Sequence, residues 1–317
     1  MSMKHLGAVL AAALVLSPVA GHAQTKITAG VAAFNEALAP IYAATSKGYF
    51  KDAGLTVEMV DFKGGGAAVK ALVGGSIDAC LCAADHVIRL TNAGMPAKEL
   101  IGLDEHHSYA LMALAGAPYT GLASLKGKRI AITSPGSLTD NTLRYMIKKA
   151  GLSPDTDFEI IATGGGAPMR AAIDTKQVDA GLLITTDVID MLSTEGKYKV
   201  VEDYRAMAYP SFGVLVLDSW IKSHPKEAKG LAIAVRKAID DLHADPKFAQ
   251  ETIAKMYPNF SPKLVAAVAE SMVSRMPKGG IVSQPSFDNL NAIAGLENPS
   301  AKPVPLSQGF DPSLLKP

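Results

Sequence analysis

The chain has 317 residues, of which 48% are hydrophobic and 19% charged, with 28 glycines, 19 prolines and 2 cysteines. This composition excludes a largely disordered chain, and the length suits about two domains that each bury a core. The 31 basic residues balance the 30 acidic ones, so no strong field attracts nucleic acid. Two cysteines provide neither a disulfide framework nor the four ligands of a structural zinc site, and we expect no metal and no cofactor.

Residues 1–23 have the order of a secretory signal peptide. Lys4 and His5 form a short basic head, an apolar core follows, and Gly21-His22-Ala23 gives the small-x-small end of a cleavage site. The apolar run is shorter than the ~20 residues that span a bilayer. We therefore expect cleavage near Ala23, export to the periplasm and a nearly neutral mature protein.

The remainder of the chain repeats itself at an offset of 97 to 101 residues. The repeated pairs, in the same order in both halves, are KDAGL at 51–55 with KKAGL at 148–152, GGG at 64–66 with GGG at 164–166, Ile77-Asp78-Ala79 with Val178-Asp179-Ala180, and Val87-Ile88 with Val188-Ile189. This period is far too long for a solenoid. The repeat predicts two similar lobes.

Within each half, predicted strands alternate with helices. The strands are expected at 27–31, 56–62 and 78–83 in the first half and at 129–133, 158–162 and 179–184 in the second. A helix is expected over 142–150, ended by Gly151. Alternation of this kind predicts an α/β protein with a parallel, doubly wound sheet in each lobe.

Two extended segments, Ser108–Ala115 and Ser211–Leu217, are interpreted as the connections between the lobes. They predict a first lobe of 24–115 plus 215–317, with the second lobe, 117–210, inserted in it. A two-strand hinge between similar lobes suits closure over a small molecule. The remaining predictions concern the C-terminal part: helices over 225–244, 246–257 and 261–274, then a proline-rich extended tail.

Ligands in open α/β sheets bind at the carboxyl ends of the strands, where helices begin. The loops expected there contain these candidate ligand-binding residues: Asn35, Glu36, Gly65, Cys82, Asp85, Ser137, Leu138, Thr139, Gly165, Thr185 and Asp187. The segment 134–139 is rich in hydroxyl groups and opens a helix, so it predicts an anion site. Phe212, with Phe34, Tyr109 and Tyr209, could stack on a planar ring.

Each candidate also has a structural interpretation. Ser137, Thr139, Asp85 and Asp187 could cap their own helices, and the triple glycines could serve only tight turns. Asp78 and Asp179 recur at strand starts and are expected to be structural.

Cys80 and Cys82, two residues apart in a strand, are interpreted as buried free thiols, because their expected separation of roughly 6.5 Å is long for a disulfide. His106-His107 is a poor metal site, since adjacent strand residues point to opposite sides.

The sequence contains neither the Gly-x-Ser-x-Gly motif nor the His-Glu-x-x-His motif of known catalytic sites.

The chain resembles the periplasmic solute-binding proteins of ABC importers for nitrate, sulfonates, taurine and thiamine-type pyrimidines. The resemblance rests on three stretches: KGYFKDAGLTVE at 47–58, ALVGGSIDA at 71–79 and LASLKGKRIAI at 122–132. It implies two lobes that close on a solute, with contacts near Asn35, Cys82, Ser137, Thr139, Gly165 and Thr185.

One departure from this family concerns charge. The candidate loops contain no arginine, and Glu36 occupies the first of them, which argues against a bare sulfonate or nitrate. Glu36 or Asp187 would suit an amino or ring-nitrogen group, with Ser137 and Thr139 on an acidic one.

We expect a monomeric, non-enzymatic binding protein that delivers a small polar organic anion or zwitterion, sulfonate-, taurine- or pyrimidine-like, to an ABC permease. Two alternatives remain. One is an enzyme on the same fold, such as a pyrimidine synthase or dehydratase. The other is a ligand sensor for a membrane receptor.

Overall fold

The computed structural model describes residues 24–316, apart from the side chains at 296 and 297. The predicted signal peptide lies outside these residues. The strands within them, in chain order, are β1 (Thr25–Val31), β2 (Leu55–Asp61), β3 (Ala79–Cys82), β4 (Ala97–His106), β5 (Tyr109–Leu114), β6 (Arg129–Ile132), β7 (Glu159–Ala162), β8 (Ala180–Ile184), β9 (Tyr198–Asp203) and β10 (Ala208–Leu217).

The α-helices of the same residues are α1 (Ala39–Ser46), α2 (Tyr49–Asp52), α3 (Gly65–Val73), α4 (Asp85–Asn92), α5 (Leu138–Lys149), α6 (Ala167–Asp174), α7 (Thr185–Ser193), α8 (Asp218–Ser223), α9 (Pro225–Ala244), α10 (Pro246–Met256), α11 (Pro262–Arg275), α12 (Gln284–Glu297) and α13 (Leu306–Gly309). The strands and helices predicted from the repeat are present with ends shifted by a few residues. Helix α5 begins four residues earlier than expected, because Ser137 rather than a later residue is its N-cap.

The strands form two five-stranded sheets of the same plan, in the orders β2-β1-β3-β10-β4 and β7-β6-β8-β5-β9. We call each sheet with its packed helices a lobe. In each sheet four strands run in one direction, and the fifth, β10 or β5, is antiparallel to both its neighbours. The predicted α/β fold with two similar lobes is confirmed. The sheets are mixed rather than purely parallel, because the odd strand enters each sheet after the chain crosses from the other lobe.

The chain crosses between the sheets at residues 107–108 and again at 204–207. The two segments expected as connections are instead strands. Tyr109–Leu114 pairs with β8 and β9 in the second sheet, and Ala208–Leu217 pairs with β3 and β4 in the first. Relative to the expected lobe limits, residues 109–114 therefore pair with the second lobe and residues 208–210 extend a first-lobe strand. An apolar run predicts a strand, but the sheet that it joins depends on distant partners.

The internal repeat has a structural counterpart at the start of each third strand. Asp78 Oδ2 accepts a hydrogen bond from the backbone N–H of Thr28 at 2.8 Å, and Asp179 Oδ2 accepts one from Arg129 N at 3.0 Å. Each aspartate thus ties the start of the central strand of its sheet, β3 or β8, to the neighbouring strand, β1 or β6. Both residues are structural, as expected.

The C-terminal helices cover the first lobe. Helices α9, α10 and α11 each have a proline in the first turn, where the missing N–H costs nothing. The tail is less extended than expected, since it contains α13 and a 3₁₀ turn at Pro312–Leu315. Buried Phe310 bridges Glu99 of β4. No helix of residues 24–316 is both long enough and apolar enough to cross a membrane.

Candidate ligand-binding cleft

A cavity of about 500 Å³ lies between the two lobes. Its walls come from the loops after β1 and β2, from β5, from the loops after β6, β7 and β8, and from the end of α10. The residues that line it are Ala33, Phe34, Asp61, Lys63, Tyr109, Thr133, Thr163, Gly164, Gly165, Gly166, Ala167, Pro168, Leu182, Ile184, Thr186, Asp187 and Tyr257. The cavity therefore lies where strand ends of both sheets meet, as an open α/β sheet predicts.

One wall of the cavity is aromatic. The rings of Phe34 and Tyr257 are 5.2 Å apart at an interplanar angle of 63°, and Tyr257 in turn stacks on Phe260 at 4.6 Å. Phe34 is 40% exposed although it is a large apolar side chain. An exposed phenylalanine beside a fixed tyrosine offers a surface for a planar ring.

The charged groups of the cavity are few and mostly acidic. Lys63 pairs with Asp61 in an exposed ion pair at the end of β2. The third charged residue of the lining is Asp187, in the first turn of α7. Burial raises the pKa of Asp187 to about 6, Arg170 opposes this shift, and Glu36 and Asp190 reinforce it. Since Lys63 is already matched by Asp61, the lining favours a solute that donates hydrogen bonds or carries positive charge at Asp187.

A second, smaller cavity of about 20 Å³, here called the extension, shares the lining residues Ala33, Tyr109 and Thr133 with the main cavity and is also lined by Gly65 and Ser137. Its lining also includes Leu138, Phe212 and His86. Nε2 of buried His86 has no hydrogen-bond partner among the described residues, and burial lowers the pKa of this imidazole, which favours the neutral ring. A space of this size holds one water molecule or one small substituent of a ligand.

The candidates from the sequence separate into three groups. Gly165 and Asp187 line the main cavity, and Gly65, Ser137, Leu138 and Phe212 line the extension. The other six, Asn35, Glu36, Cys82, Asp85, Thr139 and Thr185, line neither space, and all six are buried.

Two of these buried candidates join the lobes to each other. Glu36, at the first-lobe end of the cleft, accepts a hydrogen bond from the hydroxyl of Thr186 in α7. Asp85 in α4 accepts one from Nδ2 of Asn141 in α5 at 2.6 Å. Burial raises the pKa of Glu36, while the Arg275 guanidinium opposes the shift. Both carboxyl groups contact the opposite lobe rather than the cavity.

Two other buried candidates, Asn35 and Thr139, form hydrogen bonds within their own loops. Asn35 caps the 3₁₀ turn that it precedes by accepting from Ala37 N at 2.8 Å. Thr139 Oγ1 accepts from Thr133 N at 2.9 Å. Ser137 Oγ accepts from Asp140 N as the N-cap of α5 and also contacts the hydroxyls of Thr133 and Thr139. Within the predicted anion loop, the hydroxyl groups of Ser137 and Thr139 are thus hydrogen-bonded to each other and to Thr133.

Cys82 lies behind the cleft in β3. It is joined to Cys80 by a disulfide, with the two Cα atoms 5.4 Å apart. The interpretation as free thiols was wrong, because the separation of the two Cα atoms is shorter than that of an ideal flat strand. Both residues are buried, as predicted.

The two triple glycines act differently. Gly164 and Gly166 line the cavity with φ of 77° and 67°, a region that favours glycine. Gly66 has ordinary backbone, but a Cβ there would lie 2.5 Å from the carbonyl oxygen of Pro135 in the second lobe. The second repeat therefore shapes a turn on the cavity, and the first allows the lobes to approach closely.

Comparison with known proteins identifies the family. The profile described as NMT1/THI5 like matches residues 35–249, more than half of the chain. The chain belongs to the NMT1/THI5-like family. A curated relative, the 4-amino-5-hydroxymethyl-2-methylpyrimidine phosphate synthase THI11 of Saccharomyces cerevisiae, is 24% identical over 239 residues, which cover 71% of this chain and 68% of the relative.

Solved structures share the fold of this NMT1/THI5-like chain. A protein from Bordetella bronchiseptica RB50 has a TM-score of 0.82 at 24% identity, covering 92% of this chain and 96% of its own. The periplasmic aliphatic sulphonate binding protein SsuA from Escherichia coli has a TM-score of 0.67 at 18% identity, covering 92% and 99%. The predicted resemblance and fold are confirmed.

Sequence reasoning missed Tyr257 and Arg275. Both lie in the C-terminal part of the chain, beyond the span that matches the NMT1/THI5-like family. Thr186 lies in the predicted loop 185–187 but was not singled out as a contact. Tyr257 follows α10 directly and is preceded by no strand, so the rule of strand ends could not find it. A tyrosine immediately before Pro258, at the end of a predicted helix, was the available signal.

Metal binding finds no support in this part of the chain. Residues 24–316 contain no group of three or more metal-ligating side chains. His107 is buried, and its Nε2 lies 2.7 Å from the hydroxyl of Thr142. Burial, and to a smaller extent the charge of Arg275, lowers the pKa of His107 to about 3, so the imidazole is neutral. Its contact with Thr142 joins the first crossing to the second lobe.

Proposed function

We propose that this protein is the periplasmic solute-binding component of an ABC importer and that its lobes close over a small planar solute with ring-nitrogen or amino groups. The observation that carries the proposal is the 500 Å³ cavity between the lobes, which is lined by the Phe34 and Tyr257 rings and by the Asp187 carboxyl. Cavities of this size are typical of small-molecule sites.

The choice of a pyrimidine-like solute over a sulfonate rests on charge. The lining contains two acids and one lysine, and that lysine is paired with Asp61. A sulfonate would need net positive charge or a ring of free N–H donors. An aminopyrimidine instead presents N–H donors to the Asp187 carboxyl and a flat ring to the aromatic wall. The name of the yeast relative, a synthase of an aminopyrimidine phosphate, agrees with this class of solute.

The first test uses 4-amino-5-hydroxymethyl-2-methylpyrimidine and taurine as probes in titration calorimetry. We expect the pyrimidine to bind and to reduce the radius of gyration measured by small-angle scattering. At 100 times its dissociation constant it should stabilise the fold by about 2.7 kcal/mol. Binding of taurine with no binding of the pyrimidine would overturn the choice of solute. Stabilisation without compaction would contradict closure of the lobes about residues 107–108 and 204–207.

The enzymatic alternative is favoured by the names of the curated relatives, which are all pyrimidine phosphate synthases. A synthase would form the pyrimidine phosphate, so the two functions are separated by incubating the protein with a small-molecule cell extract without the probe and following that product by mass spectrometry. Formation of the pyrimidine phosphate above a control without protein supports an enzyme, and its absence together with binding of the unchanged probe supports binding alone.

Location and partners follow from the same proposal. We expect cell fractionation to find a monomeric mature chain that begins near Gln24 or Thr25 in the periplasm. Full-length chain on the membrane would contradict export. Crosslinking in cells would separate an importer permease from a sensory receptor as the partner of the closed form.

A further inference from the structure

A buried arginine lies where the two lobes and their crossings meet. Arg275, the last residue of α11, is 8% exposed. Its guanidinium contacts residues of both lobes, although α11 itself belongs to the first. Burying a guanidinium is costly unless its donors are used, so its partners indicate what the site requires.

The first-lobe partner is Asp104 of β4, which is 3% exposed and forms an ion pair with Nη2 of Arg275. Asp104 also accepts from Ser108 Oγ at 2.9 Å, and that hydroxyl lies 2.5 Å from the hydroxyl of Ser211. Ser108 belongs to the first crossing, and Ser211 lies in β10, a few residues after the second. The anchor of Arg275 is therefore fixed at both connections between the lobes.

The second-lobe partner is Thr185, the first residue of α7. Nη1 of Arg275 donates to Thr185 Oγ1 at 2.7 Å, and this hydroxyl donates to Ser108 O at 3.0 Å. The next residue, Thr186, bonds with Glu36 of the first lobe, and the one after it, Asp187, lines the cavity. Three consecutive residues thus link the first lobe to the wall that faces the solute.

We propose that Arg275 is a positioning residue for ligand capture, which holds the first turn of α7 against the first lobe and so orients Asp187 in the closed cleft. This inference rests on the proposed binding function, because it assigns Asp187 to the solute. Arg275 itself touches neither cavity. Its effect on affinity passes through Thr185.

The test compares Thr185→Val with Thr185→Ser. Valine keeps the shape of threonine and removes the hydroxyl, whereas serine retains the hydroxyl that accepts from Arg275. Arg275→Lys is the companion variant, since lysine keeps the charge but loses the forked donors that reach Asp104 and Thr185 together. Arg144→Lys, in an ion pair on the outer face of α5, is the matched control.

Two measurements are made on each variant. Energy transfer between dyes at Lys226→Cys and Glu195→Cys, both on exposed positions of opposite lobes, reports closure with and without the pyrimidine probe. Calorimetry reports affinity. We expect Thr185→Val and Arg275→Lys to shift the ligand-free protein toward the open form and to weaken binding about tenfold. Thr185→Ser and Arg144→Lys should behave like the parent.

A double variant of Arg275→Lys and Thr185→Val should weaken binding by less than the sum of the two single changes, since both remove the bond between Arg275 and Thr185. Lower melting temperatures with unchanged closure and affinity would overturn the inference and leave Arg275 as a core ion pair. Failure of the pyrimidine to bind the parent protein would instead contradict the proposed function. The closure of the ligand-free protein would still test Arg275, because that measurement needs no solute.

Discussion

The first turns of α4 and α7 occupy the same place in the two lobes, yet their aspartates have different surroundings. Asp85 is buried against Asn141 of the other lobe, whereas Asp187 faces the cavity. The sheets that carry the two helices have the same strand order, and Asp78 and Asp179 form corresponding hydrogen bonds in them. The two sheets therefore share one plan, and the difference between these aspartates lies in the loops, where Asp85 contacts the partner lobe and Asp187 faces the cavity.

The largest expected effect separates these two aspartates. Asp187→Asn should weaken binding of the aminopyrimidine by roughly tenfold to a hundredfold, because a hydrogen bond to a charged group is worth about 1.5–3 kcal/mol. The loss should disappear for an analogue with hydrogen in place of the amino group. Asp85→Asn, in the first turn of the corresponding helix of the first lobe, should affect both compounds equally. Titration calorimetry of both variants with both compounds checks this, and equal losses from Asp187→Asn would contradict the assignment.

The pH dependence of stability should report the burial of Asp187. The pKa of Asp187 is raised to about 6 in the folded protein, whereas its unfolded pKa is near 4. Its contribution to the free energy of unfolding is therefore fully present below pH 4 and is lost as the pH rises through about 6. Over this range the wild type should lose about 2 kcal/mol of unfolding free energy relative to Asp187→Asn. Urea unfolding of both proteins between pH 4 and pH 7 measures the difference. Parallel stability curves would show that Asp187 is not buried enough to shift.

The two triple glycines offer a second matched pair. Gly66→Ala places a Cβ 2.5 Å from Pro135 O across the lobes, so it should oppose closure and weaken binding about tenfold. Gly164→Ala meets no atom within 4 Å but adopts φ of 77°, so its cost of about 1–2 kcal/mol should appear in unfolding. Scattering with the probe and thermal melting distinguish the two. Normal compaction of Gly66→Ala would mean that the loop yields.

The smallest expected effects compare the two helix caps. Asn35→Ala and Ser137→Ala each remove a side-chain cap and should cost about 1 kcal/mol of unfolding free energy. Neither should change affinity by more than about twofold once stability is matched. A tenfold loss of binding in Ser137→Ala alone, measured by calorimetry, would return this hydroxyl to the solute site, as its place in the narrow extension allows.

Much of the fold was predictable because its signals are local. The alternation of apolar residues located the strands, Gly151 ended α5, and the Ala-Gly-Leu and triple-glycine repeats showed that the halves share one plan. Helices α9 to α11 were found within a few residues because a proline begins each one. These features depend on residues within one or two turns of each other.

The site was only partly predictable. The sequence by itself determined which loops gather at the strand ends, and Gly165 and Asp187 lie in the cavity for that reason. Tertiary structure alone decided that Glu36 and Asp85 contact the opposite lobe, that β5 joins the second sheet, that Tyr257 lines the cavity and that Arg275 contacts Thr185. Those outcomes depend on pairings between residues 50 to 150 positions apart, which no local pattern encodes, because a side chain at a strand end can face a solute, a helix end or another lobe equally well.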